Sequence, residues 1–180
     1  EFCILYDNTN LYIAIKAYDT AADSIVRRMT RRDNIDGDNV SIILDSYHDL
    51  RTGFEFAVSS AGVKSDVIYS SDGEIEDQTW DPIWFVKTQL YDWGWAAEMK
   101  IPFTQLRFNA NSKGVWGLNV TRNLFRFSEL SLWQATPRDA SGFIHFMGEM
   151  DGLENLRPLK QFDLTPYVTG GYESFEKEEG

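Results

Sequence analysis

The sequence predicts an all-β protein, an antiparallel β-sandwich with short helical turns. Along several short segments apolar residues alternate with polar ones, which is the period of a strand with one buried face. Turn-forming residues separate these segments at short intervals, and no stretch shows the 3.6-residue period of a long helix. The chain of 180 residues suits one domain with a substantial core.

The first half of the chain contains four predicted strands. Residues 1–19 read as a pair of strand segments, and residues 21–38 are polar and are expected to form an irregular excursion or a short helix. Two alternating runs, 40–45 and 54–58, are joined by a short polar link, which predicts an antiparallel hairpin. The stretch 69–77, YSSDGEIED, is expected to be a mobile loop.

The second half is arranged around the segment GWAAEMKIPFTQLRF, which begins at Gly94. Its alternating residues predict a strand, and Pro102 ends that strand because proline has no N–H to donate to the sheet. Proline suits the first position of a helix, so one helical turn should follow and point Phe103 and Leu106 at the core. Further strands are predicted at residues 84–90, 116–121, 130–135 and 142–150.

Composition narrows the possible functions. With 17 basic and 28 acidic residues the net charge is −11, which argues against nucleic acid because a phosphate-binding surface needs clustered Lys and Arg. The single cysteine, Cys3, excludes an internal disulfide and a Cys-rich zinc site. No nucleophile motif, phosphate loop or pair of carboxylates across a cleft is recognisable, so the sequence predicts that the chain is not an enzyme.

The six tryptophans indicate a possible ligand class. Trp95 and Trp116 are in phase with aliphatic neighbours and are assigned to the core. Trp80, Trp84 and Trp93 lie near loops or strand starts, and Trp133 is out of phase with Leu130 and Leu132, so these four are candidate exposed rings. Because sugars present an apolar C–H face, exposed aromatic planes with a few polar groups are typical of carbohydrate-binding sites.

Several segments occur in the order found in a known family: LYDNTNLYIAIKAYD, DGDNVSIILDSYHD, GFEFAVSSAGVKSD, WDPIW, GWAAEMKIPFTQLRF, WGLNVTRN and SLWQA. Over residues 2–156 the chain resembles family-nine carbohydrate-binding modules. More narrowly, it resembles the DOMON-like N-terminal domain of outer-membrane β-barrel proteins of unknown function. The resemblance implies an immunoglobulin-like jelly-roll sandwich over 1–156 and a connecting tail over 157–180 that leads towards an absent C-terminal region.

The resemblance also implies a function and a site. The expected function is non-catalytic binding of an oligo- or polysaccharide by a bacterial cell-envelope protein, in an extracytoplasmic, periplasmic or outer-membrane-associated location. In the family a pair of Trp rings holds the end of a sugar chain, and Trp80 and Trp133 are the best matches here, with Trp84 close by. The expected polar contacts are Asn119, Arg122 and Glu98.

Two questions stay open on the sequence alone. Asp33, Asp36 and Asp38 lie close together, and calcium takes several oxygen ligands, so a structural calcium site is one interpretation and solvated turn carboxylates are the other.

The second question concerns the function. The domain could also have lost sugar binding and serve as a structural or interaction domain of the barrel protein. A third alternative is an accessory domain of an envelope hydrolase whose chemistry lies elsewhere in a longer polypeptide.

Overall fold

Two antiparallel β-sheets make up the fold, as the sequence predicts. A computed structural model describes residues 1–108, 114–154, 156 and 166–171. Its strands are β1 Phe2–Tyr6, β2 Asn10–Tyr18, β3 Asn39–Asp45, β4 Gly53–Ser59, β5 Lys64–Ser70, β6 Ile75–Asp77, β7 Phe85–Tyr91, β8 Gly94–Pro102, β9 Trp116–Leu124, β10 Glu129–Leu132 and β11 Gly148–Met150. Short 3₁₀ helices at Ala22–Ser24, Ser71–Gly73, Phe103–Gln105, Phe125–Phe127 and Ile144–Phe146 connect some of them.

The smaller sheet has four strands in the order β1-β2-β8-β7. Its centre is the pair β2 and β8, whose register sets Leu11 opposite Ile101 and Ile13 opposite Met99. All four of these side chains are buried, and the residues between them face the outside of the sandwich. The alternation of apolar and polar residues in the sequence therefore corresponds to the buried and the exposed face of this sheet.

The larger sheet has seven strands. Six follow the order β10-β9-β3-β4-β5-β6. Strand β11 also pairs with β9, on the same side as β10, but it pairs with the beginning of β9 (116–118), whereas β10 pairs with its end (121–124). The predicted hairpin of β3 and β4 is confirmed, with Ile42 opposite Phe56. Since β3 pairs with β9 on its other side, it is a central strand of this sheet.

The core lies between the sheets and is rich in aromatic rings. Trp95 and Trp116 are buried, as predicted from their phase. Phe103 and Leu106 are also buried, and they follow Pro102 in a single 3₁₀ turn, as the sequence predicts. One turn thus carries both side chains from the end of β8 back into the core.

Two sequence predictions of local structure are wrong in part. Residues 69–77 are not one loop, because β5 runs to Ser70 and β6 pairs with it after a tight turn in which Asp72 and Gly73 both adopt positive φ. The predicted strand 142–150 is a strand only over β11. The residues before it form a 3₁₀ turn fixed by Asp72, which accepts the backbone N–H groups of Phe143 and His145.

The end of the sandwich is marked by Leu153, which is buried, and Leu156, which packs against the core. Most of the predicted connecting tail, 157–180, lies outside the described residues, and residues 166–171 are exposed without regular structure. Among the described residues, no helix has the length and apolar character needed to cross a membrane.

Candidate functional site

A pocket opens between the two sheets at the edge where β1 and β2 face β9 and β10. Its volume is about 260 Å³. Phe2, Ala17 and Tyr18 line one side, while Arg122 and Trp133 belong to the other. We call it the Trp133 pocket. It contains two of the six residues that the sequence predicted for sugar binding.

Trp133 forms a half-exposed wall of this pocket, with 49 % of its surface accessible. Its backbone N–H donates to Val120 O at 2.8 Å, which fixes the residue beside β9 just after β10 ends. The indole packs against Phe2, with ring centroids 5.6 Å apart and planes nearly perpendicular. A Cβ on Gly148 would lie 2.5 Å from the indole, so a glycine is required there for the ring to take this position. The indole is thus held on two sides and accessible on the rest of its surface.

Arg122 brings a positive charge into the same pocket. It is on the face of β9 that carries Leu118 and Val120, so its side chain points between the sheets. The carboxylate of Asp19 lies beside Arg122, with Nη2 and Oδ2 3.7 Å apart. Nε and Nη2 of Arg122 are shielded from solvent and have no hydrogen-bond partner in the described part of the chain.

Asn119 supports the pocket from behind. The residue is buried, and its amide Nδ2 donates to Gln134 O at 2.9 Å while its Oδ1 accepts the backbone N–H of Gln134 at 3.0 Å. These two bonds tie the residue that follows Trp133 to β9. Asn119 was predicted to contact sugar directly, but its polar groups are used within the protein, so its place in the structure is that of a positioning residue.

Trp80, the other ring of the predicted pair, lies elsewhere. Its ring centroid is 5.4 Å from those of Phe54 and Phe56 on β4. Strand β3 separates β4 from β9, so β4 and β9 are roughly 10 Å apart, and Trp133 lies beyond β9. The two indoles therefore do not face each other across one cleft, and Trp80 packs against the core as a partly buried side chain.

Trp84 is one of the most buried residues in the protein, with 1 % of its surface accessible. It comes just before β7, and its indole N–H donates to the carboxylate of Asp66, which is itself buried. Arg32 Nη2 also donates to both oxygens of Asp66, at 2.9 and 2.8 Å. Burial raises the pKa of Asp66, and the bonds from Arg32 and Trp84 oppose that rise. The prediction that Trp84 is an exposed ring is wrong, because its polar edge has a partner inside the fold.

Glu98 is exposed on the outer face of β8, where it lies opposite Ala14 and Lys87, away from Arg122. Together with Trp84 it borders a second, larger cleft of about 590 Å³. The accessible rings of that cleft already have a cation beside them, because Lys100 Nζ is 6.0 Å from the centroid of Tyr12 and 5.9 Å from that of Phe85.

The three carboxylates of the predicted calcium site do not converge. Asp36 pairs with Arg28 at 2.8 Å, and Asp33 accepts the backbone N–H of Asp66. Asp38 is buried and accepts a different backbone N–H at 2.7 Å. Within the described ranges, no three His, Cys, Asp or Glu side chains form a group that could hold a metal ion. Calcium binding stays a prediction, and a melting curve that shifts when a chelator is replaced by millimolar calcium would support it.

Sequence reasoning missed the ion pair that flanks the pocket. Arg126 donates to both carboxylate oxygens of Asp19 at 2.7 Å, and these bonds lower the pKa of Asp19. Asp19 is 107 residues away from Arg126, so no local pattern connects the two. Phe2 and Tyr18 were missed for the same reason, since only the pairing of distant strands brings them to Trp133.

Comparison with known proteins agrees with this architecture. No family model matches the sequence, and no curated protein matches it. Among solved structures, a family 9 carbohydrate-binding module from Caldicellulosiruptor kristjanssonii in complex with cellotriose has a TM-score of 0.59 at 16 % identity, over 93 % of this chain and 80 % of that one. A module of the same family and organism in complex with glucose has a TM-score of 0.52 at 16 % identity, over 87 % and 79 % of the two chains.

A third structure comes from Bacteroides uniformis ATCC 8492, a protein whose carbohydrate binding is itself an inference. Its TM-score is 0.63 at 15 % identity, over 82 % of this chain and 75 % of that one. At such identities the likeness establishes the fold. The chain therefore has the β-sandwich fold of family 9 carbohydrate-binding modules.

Proposed function

We propose that this chain is a non-catalytic carbohydrate-binding domain and that the Trp133 pocket is its sugar site. The observation that carries the proposal is a half-exposed indole on the wall of a pocket that also holds a partly exposed arginine. An indole face stacks on the C–H face of a pyranose, and a guanidinium donates to its oxygens. The volume of the pocket suits about one sugar unit, so the end of a chain or a single substituent would enter it.

The fold supports the same proposal. Two of the similar structures contain cellotriose and glucose, and these two sugars are the first ligands to test. The wider setting that we propose is a bacterial cell-envelope protein, with this domain outside the cytoplasm and joined to an outer-membrane β-barrel. Fractionation of cells that express the full-length protein would test that setting separately from sugar binding.

The deciding experiment is calorimetric titration, preceded by a glycan array, of the wild-type chain and three variants. Trp133→Ala should lower sugar affinity at least tenfold, because the stacking surface is lost. Phe85→Ala removes a comparably exposed ring from the outer face of the smaller sheet and should leave affinity unchanged. Trp80→Ala should lower the melting temperature and leave the affinity of the folded protein unchanged, since Trp80 packs against the core.

Two results would contradict the proposal. If Trp133→Ala binds sugar as tightly as the wild type, the pocket is not the site. If the folded wild-type chain binds no glycan on the array or in solution, the alternative of an interaction domain that lacks sugar binding takes its place.

A further inference from the structure

Three aromatic side chains lie side by side on the outer face of the smaller sheet, next to the Trp133 pocket. Tyr18 ends β2 and Tyr91 ends β7, and both lie opposite Gly94 on β8, the strand between them. Trp93, in the turn between β7 and β8, contacts both rings. Its centroid is 5.2 Å from that of Tyr18 and 4.7 Å from that of Tyr91. We call Tyr18, Trp93 and Tyr91 the aromatic row.

The rings of the aromatic row hold one another in place. Trp93 and Tyr91 are stacked with their planes 8° apart, and the plane of Tyr18 is tilted by 50° against that of Trp93. The Tyr18 hydroxyl also donates to the carboxylate of Glu1 at 2.7 Å. Even so, 49 % of the surface of Tyr18 and 45 % of that of Tyr91 are accessible. Rings that are braced and half exposed can pack against a ligand with little loss of conformational entropy.

Polar side chains lie beside the aromatic row on the same face. Lys16 and Gln89 are both exposed, and both lie opposite Ala96 on β8. Lys16 is two residues before Tyr18, and Gln89 is two residues before Tyr91, so each shares a face of the sheet with its ring. Gln89 uses one amide hydrogen on its neighbour's carbonyl oxygen, and an amide has a second hydrogen and an oxygen besides. Apolar rings next to polar donors are typical of a carbohydrate site.

Tyr18 connects the aromatic row with the Trp133 pocket. It belongs to the wall of the pocket, and its ring contacts Trp93. Because the pocket suits about one sugar unit, the rest of a longer chain has to leave it over one of its walls. Over the wall that Tyr18 forms, such a chain meets two further rings, at successive centroid spacings of 5.2 and 4.7 Å. Each spacing is close to the length of one pyranose unit.

We propose that the sugar site continues from the Trp133 pocket along the aromatic row, and that its ligand is a linear oligo- or polysaccharide. The terminal unit enters the pocket, and the following units pack against the row while Lys16 and Gln89 donate to their hydroxyl groups. This inference rests on the proposed sugar-binding function and specifies its ligand class. Since each further unit adds contact with a ring, affinity rises with chain length until the row is filled.

The test is the dependence of affinity on chain length. Cello-, xylo-, chito- and malto-oligosaccharides of one to six units are titrated by calorimetry, with NMR titration for the weakest binders. In at least one series the affinity of the wild type should rise about tenfold or more between one unit and four, and then level off. Tyr91→Ala and Trp93→Ala should each remove most of this rise and keep the affinity for one unit. Trp133→Ala, in contrast, should weaken the binding of every length.

Phe85→Ala is the matched control for Tyr91→Ala. Phe85 begins β7 and Tyr91 ends it, and both rings are exposed on the same face of that strand. Phe85 lies opposite Lys100, away from the aromatic row. The control variant should keep the wild-type affinity at every chain length, and a thermal melt verifies that each variant is folded.

The other outcomes overturn the inference in distinguishable ways. If the wild type binds one unit and four units equally, or binds only branched glycans on the array, the site does not continue along the row and sugar binding stands. If the rise with chain length persists in folded Tyr91→Ala and Trp93→Ala, the added units lie elsewhere on the surface. If no sugar of any length binds the folded wild type, the proposed function and this inference fail together.

Discussion

The two lateral edges of the sandwich each carry an arginine, an aspartate and a tryptophan, yet the three residues are arranged differently. At the edge near β5 and β7, Arg32 and the indole of Trp84 both donate to Asp66, and the indole is buried. We call this the Trp84 edge. Arg32 also donates to Pro82 O, while its buried Nε lacks a hydrogen bond. The carboxylate and the indole of this edge thus have partners within the protein.

At the Trp133 pocket the corresponding indole and guanidinium lack such partners. Trp133 is half exposed, and the side chain of Arg122 makes no hydrogen bond within the described part of the chain, while Arg126 donates to both oxygens of Asp19. The comparison teaches that residue types alone do not distinguish an edge whose polar groups and rings are paired from an edge that leaves them free. The distinguishing property is whether donors and rings have partners within the protein.

The largest effect should come from Trp84→Ala. Loss of a fully buried indole leaves a cavity and removes a hydrogen bond to Asp66, so we expect a decrease of about 3–5 kcal/mol in the free energy of unfolding. Chemical denaturation measures this quantity. Trp133→Ala serves as the matched control and should cost about 1 kcal/mol, because half of that ring is already in water. Similar losses in both variants would contradict the distinction between the two edges.

Arg32→Ala should have the next largest effect. Asp66 is buried and would lose a charged donor to both of its oxygens, so we expect about 1.5–3 kcal/mol of destabilisation. Arg28→Ala breaks an exposed pair with Asp36 and should change stability by less than about 0.5 kcal/mol. A loss for Arg32→Ala no larger than that for Arg28→Ala would mean that the Asp66 network contributes little.

Asn119→Ala tests whether Asn119 holds Trp133 in place at the Trp133 pocket. It removes both hydrogen bonds to Gln134, whose backbone can partly bond to water instead, so we expect about 1 kcal/mol of destabilisation. Sugar affinity should also fall, because Trp133 is less firmly placed. Unchanged affinity in the folded Asn119→Ala variant would exclude its positioning role.

The smallest effect concerns pH and Asp19. Its folded-state pKa lies below the unfolded value of about 3.9, so its stabilisation is present above that pH and is lost as the pH falls through the folded-state pKa. The difference in stability between the wild type and Asp19→Asn should therefore shrink between pH 5 and pH 3, by about 1 kcal/mol or less. Thermal melting across this range measures it, and a difference that grows on acidification would show the opposite linkage.

Much of the fold could be predicted from the sequence because a strand with one buried face leaves a local signature. Leu11 to Ala17 and Trp95 to Ile101 show the alternation plainly, and Pro102 marks the end of β8. The turn at Asp72 and Gly73 was misjudged because a short polar segment is compatible with either a loop or a tight reversal. Only the pairing of β6 with β5 shows that the segment is a tight reversal and not a loop.

The candidate site was predicted less well, because the exposure of a side chain at a sheet edge depends on strands that are far apart in sequence. Trp133 and Arg122 were identified from their phase and from a resemblance, and the structure brings them together. Trp80 and Trp84 had equally suggestive positions near loops, but they pack against β4 and Asp66 respectively. Whether a tryptophan near a loop is covered depends on which strand lies opposite, and one sequence does not contain that information in a local pattern.

The contact between Asp19 and Arg126 also bears on how the molecule assembles. Asp19 follows β2 in the smaller sheet, Arg126 follows β9 in the larger one, and 107 residues separate them. Closing so long a loop is entropically costly, so this contact should form after the sheets have docked, late on the folding pathway. Loss of the pair would then accelerate unfolding and leave the refolding rate nearly unchanged. The ion pair beside the Trp133 pocket would thus prolong the lifetime of the native state.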